Sequence, residues 1–478
     1  MIGVAILLRG TLRGAFAFML FCGLFAGSAA LVLPALGGSS IPPLQLALVF
    51  VILTLVLAPH RYLWALPEAL RANLWLVAFV GYGIASAIIA PRLFAGSIAV
   101  APLKPTDSPD PFDTVLLGPN SQNLTSAFYL FGTLAVAVAA YLVARTCRGG
   151  VASLISAAIA IGWCHVLLGI AVMAAHGTVL DGLFNLLRNG NYAQLDQAYQ
   201  GFVRIRGLFP ESSAYADFGF AFMVLNAELW YRSIRPTSTG SVAFALAVVL
   251  AFSTSSTAYV SLLAYALFFV IRAFFLPRLA PASRLRQFAG AVMVIAMTAA
   301  LLMLVVPALP QQFFDMVHGM TVAKSDSFSG RQRLFWAEQG WDAFIGSHGV
   351  GIGAGSFRSS SLLTAILGSM GVIGVVTFGA YLVSVFQPLR QSTYGRTTLL
   401  DQTIGGAFAV AAVLSLVPSA VSSSKPDPGT NFAFMAGASL AMRPRQRRRK
   451  AEPDAAAEAC LPAVAAEYVP PIAAAVAR

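Results

Sequence analysis

The chain has 478 residues, of which 58% are hydrophobic and 10% charged, and it carries a net charge of +12. Soluble domains hold about 25% charged residues, so a water-soluble enzyme is excluded and an integral membrane protein is expected. Nucleic acid is not the implied partner, because the basic residues flank apolar blocks or sit in one short tail.

Those blocks are continuous rather than alternating with period two, which favours helices over a barrel. A membrane span needs roughly 20 apolar residues, and about twelve blocks approach that length. They lie near 14–36, 43–58, 72–90, 124–144, 151–175, 212–231, 240–253, 257–273, 287–308, 362–385, 402–420 and 430–442. The expected fold is all-α, a polytopic transmembrane bundle over residues 1–442. The first block resembles a signal peptide, with Arg9 and Arg13 before it and Ala26-Gly27-Ser28-Ala29-Ala30 within it. Its apolar run continues to Leu36, so an uncleaved first helix is expected. A polar break, Ser253–Thr257, separates the seventh and eighth blocks. Cys22 and Cys164 fall in apolar blocks, and Cys147 and Cys460 fall in connections assigned inside. Neither a disulfide nor a metal is implied by that spacing.

Orientation follows from the cations. With the N-terminus inside, arginine collects in every second connection, at 9, 13, 61, 71, 145, 148, 232, 235, 272, 278, 284, 286, 390 and 396. The run Arg443–Lys450 completes that set, and the opposite side carries about half as many cations, mostly in long loops. Both termini are then cytoplasmic. The basic run reads as an anchor against anionic lipid, and the tail 443–478 reads as basic, then Ala-, Pro- and Glu-rich and disordered.

Three outward connections are long: 91–123, 176–211 and 309–361. In the first, Asp107, Asp110 and Asp113 alternate with prolines and form no pair on any predicted element, so a solvated loop is expected. The second ends in Arg204-Ile205-Arg206-Gly207-Leu208-Phe209-Pro210-Glu211, which predicts a helix starting near Pro210. Arginines beside a helix N-terminus suit phosphate oxygens, while Glu211 could equally be a helix-start residue paired with them.

The third contains Lys324, Ser329-Gly330-Arg331-Gln332-Arg333, Trp336, Glu338 and Trp341, then His348 and the run Gly349-Val350-Gly351-Ile352-Gly353-Ala354-Gly355-Ser356-Phe357-Arg358. Residues 331–344 predict an amphipathic helix on the bilayer surface. The glycines predict either a flexible turn or a close backbone approach to a ligand. Cations on two loops of one side could stabilise a departing diphosphate, and Glu211, Asp217, Glu338 or His348 could serve as general base. Glu228 is expected at the opposite interface, away from catalysis.

These residues resemble the bacterial O-antigen ligase and polymerase superfamily. Arg204–Tyr215 looks like its R-x-x-G-x-F element before a span. Ser329-Gly330-Arg331 with Trp336 and the glycine run resemble its large-loop element, and Gly368, Gly371 and Gly374 resemble the G-x-x-G pattern that follows. The Ser/Thr break at 253–257 lies where members often have a short paired helix. The resemblance covers about 200–385 best.

It implies a GT-C-like glycosyltransferase of the bacterial inner membrane, with a large periplasmic loop between spans nine and ten and no metal or other cofactor. The donor would be an undecaprenyl-diphosphate-linked oligosaccharide. Arg206 and Arg331 would contact the diphosphate, supported by Arg204, Arg333 and Arg358, with Glu211, His348 and Glu338 as catalytic candidates. A chain-length regulator and export machinery would be partners. Two departures separate this chain from ligases: Ser256-Thr257-Ala258 stands where an arginine is usual, and Phe357-Arg358-Ser359-Ser360 where a histidine is usual. They favour a polymerase of O-antigen or exopolysaccharide repeats. The rivals are a ligase acting on lipid A–core and a lipid-linked oligosaccharide flippase. A flippase would place arginines within the spans, and the predicted spans hold almost none.

Overall fold

The computed structural model describes residues 11–33, 39–104, 110, 112–190, 198–199, 202–275, 286–287, scattered positions from 289 to 304, 328–394 and 400–443. The expected tail, Lys324 and most of the ninth block lie outside them.

Helix α1 (Leu12–Cys22) ends sooner than its apolar block predicts. A 3₁₀ turn at Gly23–Phe25 follows, and Leu31–Leu33 then pairs antiparallel with Ser39–Ile41. The cause is a tertiary contact: the Gly27 N–H donates to Leu208 O at 2.8 Å, and the Gly190 N–H donates to Gly27 O at 3.0 Å. Helix α2 (Pro43–Leu57) turns by 91° into the helical stretch Pro59–Ala72. Pro59 explains the corner, since a residue before proline avoids the helical region, and Ala58 sits at φ −128°, ψ 56°.

Helices α3 (Leu74–Leu93), α4 (Ser121–Thr146) and α5 (Gly150–Ala174) are long and apolar. Asn120 and Asn123 fix the start of α4 by a reciprocal capping box. Helix α6 (Val179–Leu187) follows. Then come α7 (Ser212–Tyr231), α8 (Pro236–Phe252), α9 (Ser256–Phe275), α10 (Phe328–Gly346), α11 (Leu362–Tyr394), α12 (Leu400–Leu414), α13 (Leu416–Ser422) and α14 (Thr430–Ala441).

Among the described residues, five helices are long and apolar enough to cross a membrane, or six if the bent pair counts as one. They are α3, α4, α5, α11 to Phe386, and the stretch Leu400–Ser422. The blocks at the first, seventh, eighth and twelfth positions form shorter apolar helices; α7 has 20 residues but carries Asp217, Asn226 and Glu228, and most of the ninth block lies outside the described residues. Proline at 236 and the polar break after Phe252 limit α8, for example, where Thr254 takes φ +48°.

The core lies around α7 and α14. Phe220, Phe222, Val224 and Leu225 on α7 are each 3% exposed or less, as are Phe432, Phe434 and Met435 on α14. A helix apolar on every face is a buried one.

The glycine run after α10 meets other helices. Helix α11 breaks at Gly371, with φ 57° and ψ −151°. That break releases carbonyls: the Ile352 N–H donates to Gly368 O, and the Gly353 N–H donates to Ser369 O, both at 2.9 Å. A Cβ at Gly351 would lie 2.5 Å from Ser369 C, and one at Gly353 would lie 2.6 Å from Ser86 O on α3. One at Gly355 would lie 2.3 Å from Gln122 O on α4. The run is a weld between three helices, in place of the flexible turn or ligand cradle expected from sequence. Gly371→Ala, whose Cβ would meet Gly349 O at 2.0 Å, is expected to cost about 3 kcal/mol. A fall in melting temperature of the detergent-solubilised protein checks this; an unchanged melt would contradict it.

Glu228 is enclosed by protein rather than left on the surface. Its side chain is fully buried, and Arg272 Nη1 donates to both carboxylate oxygens at 2.7 and 2.9 Å. The Tyr265 hydroxyl donates to Oε1 at 3.1 Å, and Arg232 lies 3.6 Å away. The Arg272 guanidinium also lies 4.0 Å over the Tyr231 ring. An arginine expected in a connection therefore turns inward from the last turns of α9.

Candidate functional site

The long connections converge on one end of the bundle. Arg358 N–H donates to Ala101 O at 2.8 Å, and Ala101 N–H donates to Gln339 Oε1 at 2.9 Å. Val100 and Leu117 of the first connection share a small apolar core with Ala343, Ile352 and Phe357 of the third. Phe112 packs on Phe328 and Phe335 with ring centroids 5.7 and 5.5 Å apart. The first connection is thus partly a clamp on α10, where sequence predicted a solvated loop. Two of its acids make turns: Asp110 accepts from Phe112 N–H and Asp113 from Thr114 N–H, each at 2.9 Å, while Asp107 lies outside the described residues.

The second connection reaches the same end. Arg204 Nη2 donates to Thr254 O at 2.8 Å, which ties it to the polar break between α8 and α9. Arg206 is buried, and its carbonyl accepts from Phe209 N–H at 3.0 Å. Helix α7 begins two residues after Pro210, with Glu211 at its N-cap position and no side-chain cap. Glu211 Oε1 instead accepts from the Ser213 hydroxyl.

Arg358 joins the two connections. Its guanidinium lies 4.0 Å over the Trp336 ring. Burial lowers its pKa from the ordinary arginine value, the Glu211 carboxylate opposes that shift, and Arg333 adds to it. Glu211, Arg333 and Arg358 therefore share one electrostatic neighbourhood. The Ser360 hydroxyl donates to Arg333 O at 2.6 Å. Arg331, Glu338 and His348 are exposed. Among the described residues, Glu338 and His348 make no side-chain hydrogen bond or ion pair, and neither lines the cleft described next. The structure gathers Arg358, Arg333 and Glu211, and leaves those two candidates apart.

Beside Glu211 lies a cleft of about 400 Å³, between the first turns of α7, the start of α2, Tyr129 of α4 and the segment 415–432. Glu211, Ser213 and Asp217 form one wall, with Asp217 accepting from the Ser419 hydroxyl. The opposite wall is the turn between α13 and α14. There the Lys425 ammonium lies 4.7 Å over the Tyr129 ring. Asp427 Oδ1 accepts from the Thr133 hydroxyl at 2.7 Å and from Gly429 N–H at 3.1 Å. Burial pushes the Asp427 pKa up and the Lys425 pKa down. The third connection reaches this wall too, since Ser359 N–H donates to Ser424 O at 3.3 Å.

Sequence reasoning counted Lys425 only as an outward cation and passed over Asp427 and Gln45. The available signal was Ser422-Ser423-Ser424-Lys425-Pro426-Asp427-Pro428-Gly429, an acid and a base set among serines and prolines between apolar blocks. Glu228 lies about 25 Å from Glu211 along α7 at 1.5 Å per residue, so its cluster is separate from this cleft. No protein-family profile matches the chain, and no curated protein sequence matches it.

Proposed function

We propose that the protein is a membrane glycosyltransferase that joins oligosaccharide repeat units carried on undecaprenyl diphosphate, in O-antigen or exopolysaccharide synthesis. The reaction takes place at the cleft-bearing end of the bundle, on the periplasmic side of a bacterial inner membrane. The observation that carries this reading is the double position of Glu211, which lines the cleft and faces Arg358. A carboxylate thereby stands between an arginine cluster and a cavity large enough for a small-molecule group.

In that arrangement the cations hold the diphosphate and stabilise the charge that grows as it departs. Planar guanidinium groups suit its oxygens. Glu211 or Asp217 accepts the proton of the attacking hydroxyl, and the driving force comes from the released polyprenyl diphosphate. Trp336 supports the Arg358 guanidinium, and among the described residues no carboxylate closes an ion pair on it within 4 Å.

The flippase reading gains one observation, because Arg272 and Arg232 lie inside the helical bundle. Their cluster is closed around Glu228 and aromatic rings, however, and offers no path. A strain lacking the protein separates the alternatives. Accumulated single repeats on the lipid identify a polymerase, lipid-linked long polymer a ligase, and inward-facing precursor a flippase. Complementation with Arg206→Ala or Arg331→Ala is expected to leave single repeats at wild-type protein levels. Normal chain lengths in both would remove the roles assigned to them.

A further inference from the structure

The geometry points to the cleft beside Glu211 as a subsite for an uncharged sugar, held by Asp427, Gln45 and the hydroxyls of the 422–424 turn. The inference rests on the glycosyl-transfer reading and gives that reading its acceptor side. Binding clefts for small molecules span about 300–1,000 Å³, and this one falls at the lower end.

The lining specifies the ligand's chemistry. Carboxylates accept hydrogen bonds, the Ser422 and Ser423 hydroxyls donate to Pro418 O and Lys425 O and keep lone pairs to accept with, and apolar rings at Phe209, Phe218 and Phe432 cover the remainder. A polyhydroxylated ring satisfies all three kinds of wall. Gln45 supplies a separate indication. It is 6% exposed, it lines the cleft, and its Oε1 has no hydrogen-bond partner. A buried amide oxygen left unpaired is costly, and rotation of the side chain toward the cleft would let a ligand hydroxyl satisfy it. Space for that amide exists because residue 132 is glycine: a Cβ there would lie 2.9 Å from Gln45 Oε1.

Asp427 is similarly disposed. Both of its hydrogen bonds from the protein fall on Oδ1, which leaves Oδ2 for a ligand hydroxyl. Charge settles the class of sugar. Three carboxylates, Glu211, Asp217 and Asp427, line the cleft against the single ammonium of Lys425. A hexuronate would meet Lys425 as the one cation of the described lining, and burial disfavours that ammonium's charge, so a neutral sugar is preferred.

The test uses the full chain in lipid nanodiscs and two sets of probes, methyl glycosides of neutral hexoses and methyl hexuronides, followed by saturation-transfer NMR titration. Neutral glycosides are expected to saturate, with hexuronides about tenfold weaker or worse. Asp427→Asn is expected to weaken neutral glycosides by about tenfold or more. Because Asp427 also holds Thr133 and Gly429, Gln45→Met is the second variant. It is expected to weaken binding about fivefold while melting at the same or a higher temperature, since it removes an unpaired polar atom.

Absence of saturable neutral binding, hexuronides bound as tightly, or a Gln45→Met protein that melts lower yet binds normally would each overturn the subsite. Failure here, with single repeats still accumulating in the deletion strain, would remove the subsite alone. Normal polysaccharide in that strain would remove the enzymatic reading itself.

Discussion

Replacing Arg358 with alanine is expected to reduce long-chain polysaccharide roughly 100- to 1,000-fold, the cost of losing one oriented donor to developing charge. Arg358 is the cation that both connections reach. Trp336 lies beneath its guanidinium, Glu211 and Arg333 are its charged neighbours, and its own N–H is fixed to Ala101 O. Those contacts keep a planar, permanently charged donor in place, so under the proposed reaction little ordering would remain to be done on diphosphate binding. Arg358→Lys is the informative companion. It keeps the charge but loses the flat stack on Trp336, so a partial activity between wild type and alanine is expected. Repeat-unit ladders resolved on gels, with protein amount in the membrane measured alongside, provide the check. Wild-type ladders from Arg358→Ala would show that the convergence of the two connections serves packing only.

The second large effect concerns the other end of α7. Glu228→Ala leaves Arg272 and Arg232 buried without their shared carboxylate. Breaking a buried ion pair in this way costs ~3–5 kcal/mol, so membrane levels and melting temperature should fall sharply. A paired change, Glu228→Leu with Arg272→Met, removes both buried charges and should recover most of that stability. Arg232 then keeps one charge near the bundle end, where its side chain is 10% exposed. Loss of polysaccharide at normal stability in the paired variant would instead mark the cluster as part of a transport route.

Much of the helical order was legible because apolar blocks declare themselves by length. Blocks at 72–90, 124–144, 151–175 and 362–385 correspond to α3, α4, α5 and α11, each long and apolar enough to cross a membrane. The first block misled for a tertiary reason: Gly27 bonds to Leu208, nearly two hundred positions along the chain, and that contact ends the helical path. The short twelfth block became a buried core helix, which hydropathy does not distinguish from a span.

At the candidate site, the arginine-bearing stretches were visible as charge placed beside apolar blocks. Arg358 gained its central place only through folding, because Trp336 and Glu211 are distant in sequence. The wall formed by Lys425 and Asp427 was hidden for the opposite reason. Two charges in a short turn look like ordinary solvated residues until Tyr129 and Thr133 of α4 are brought against them.

The weld formed by residues 349–355 bears on how such a protein could acquire a new specificity. The backbone that holds the guanidinium at 358 also seals three helices together, so re-aiming that group would disturb the helical scaffold. Sequence drift there is tightly restrained. The facing turn at 422–429 is tied to α4 and the third connection chiefly through side chains and Ser424 O, so diversification toward different glycans should be concentrated on that side.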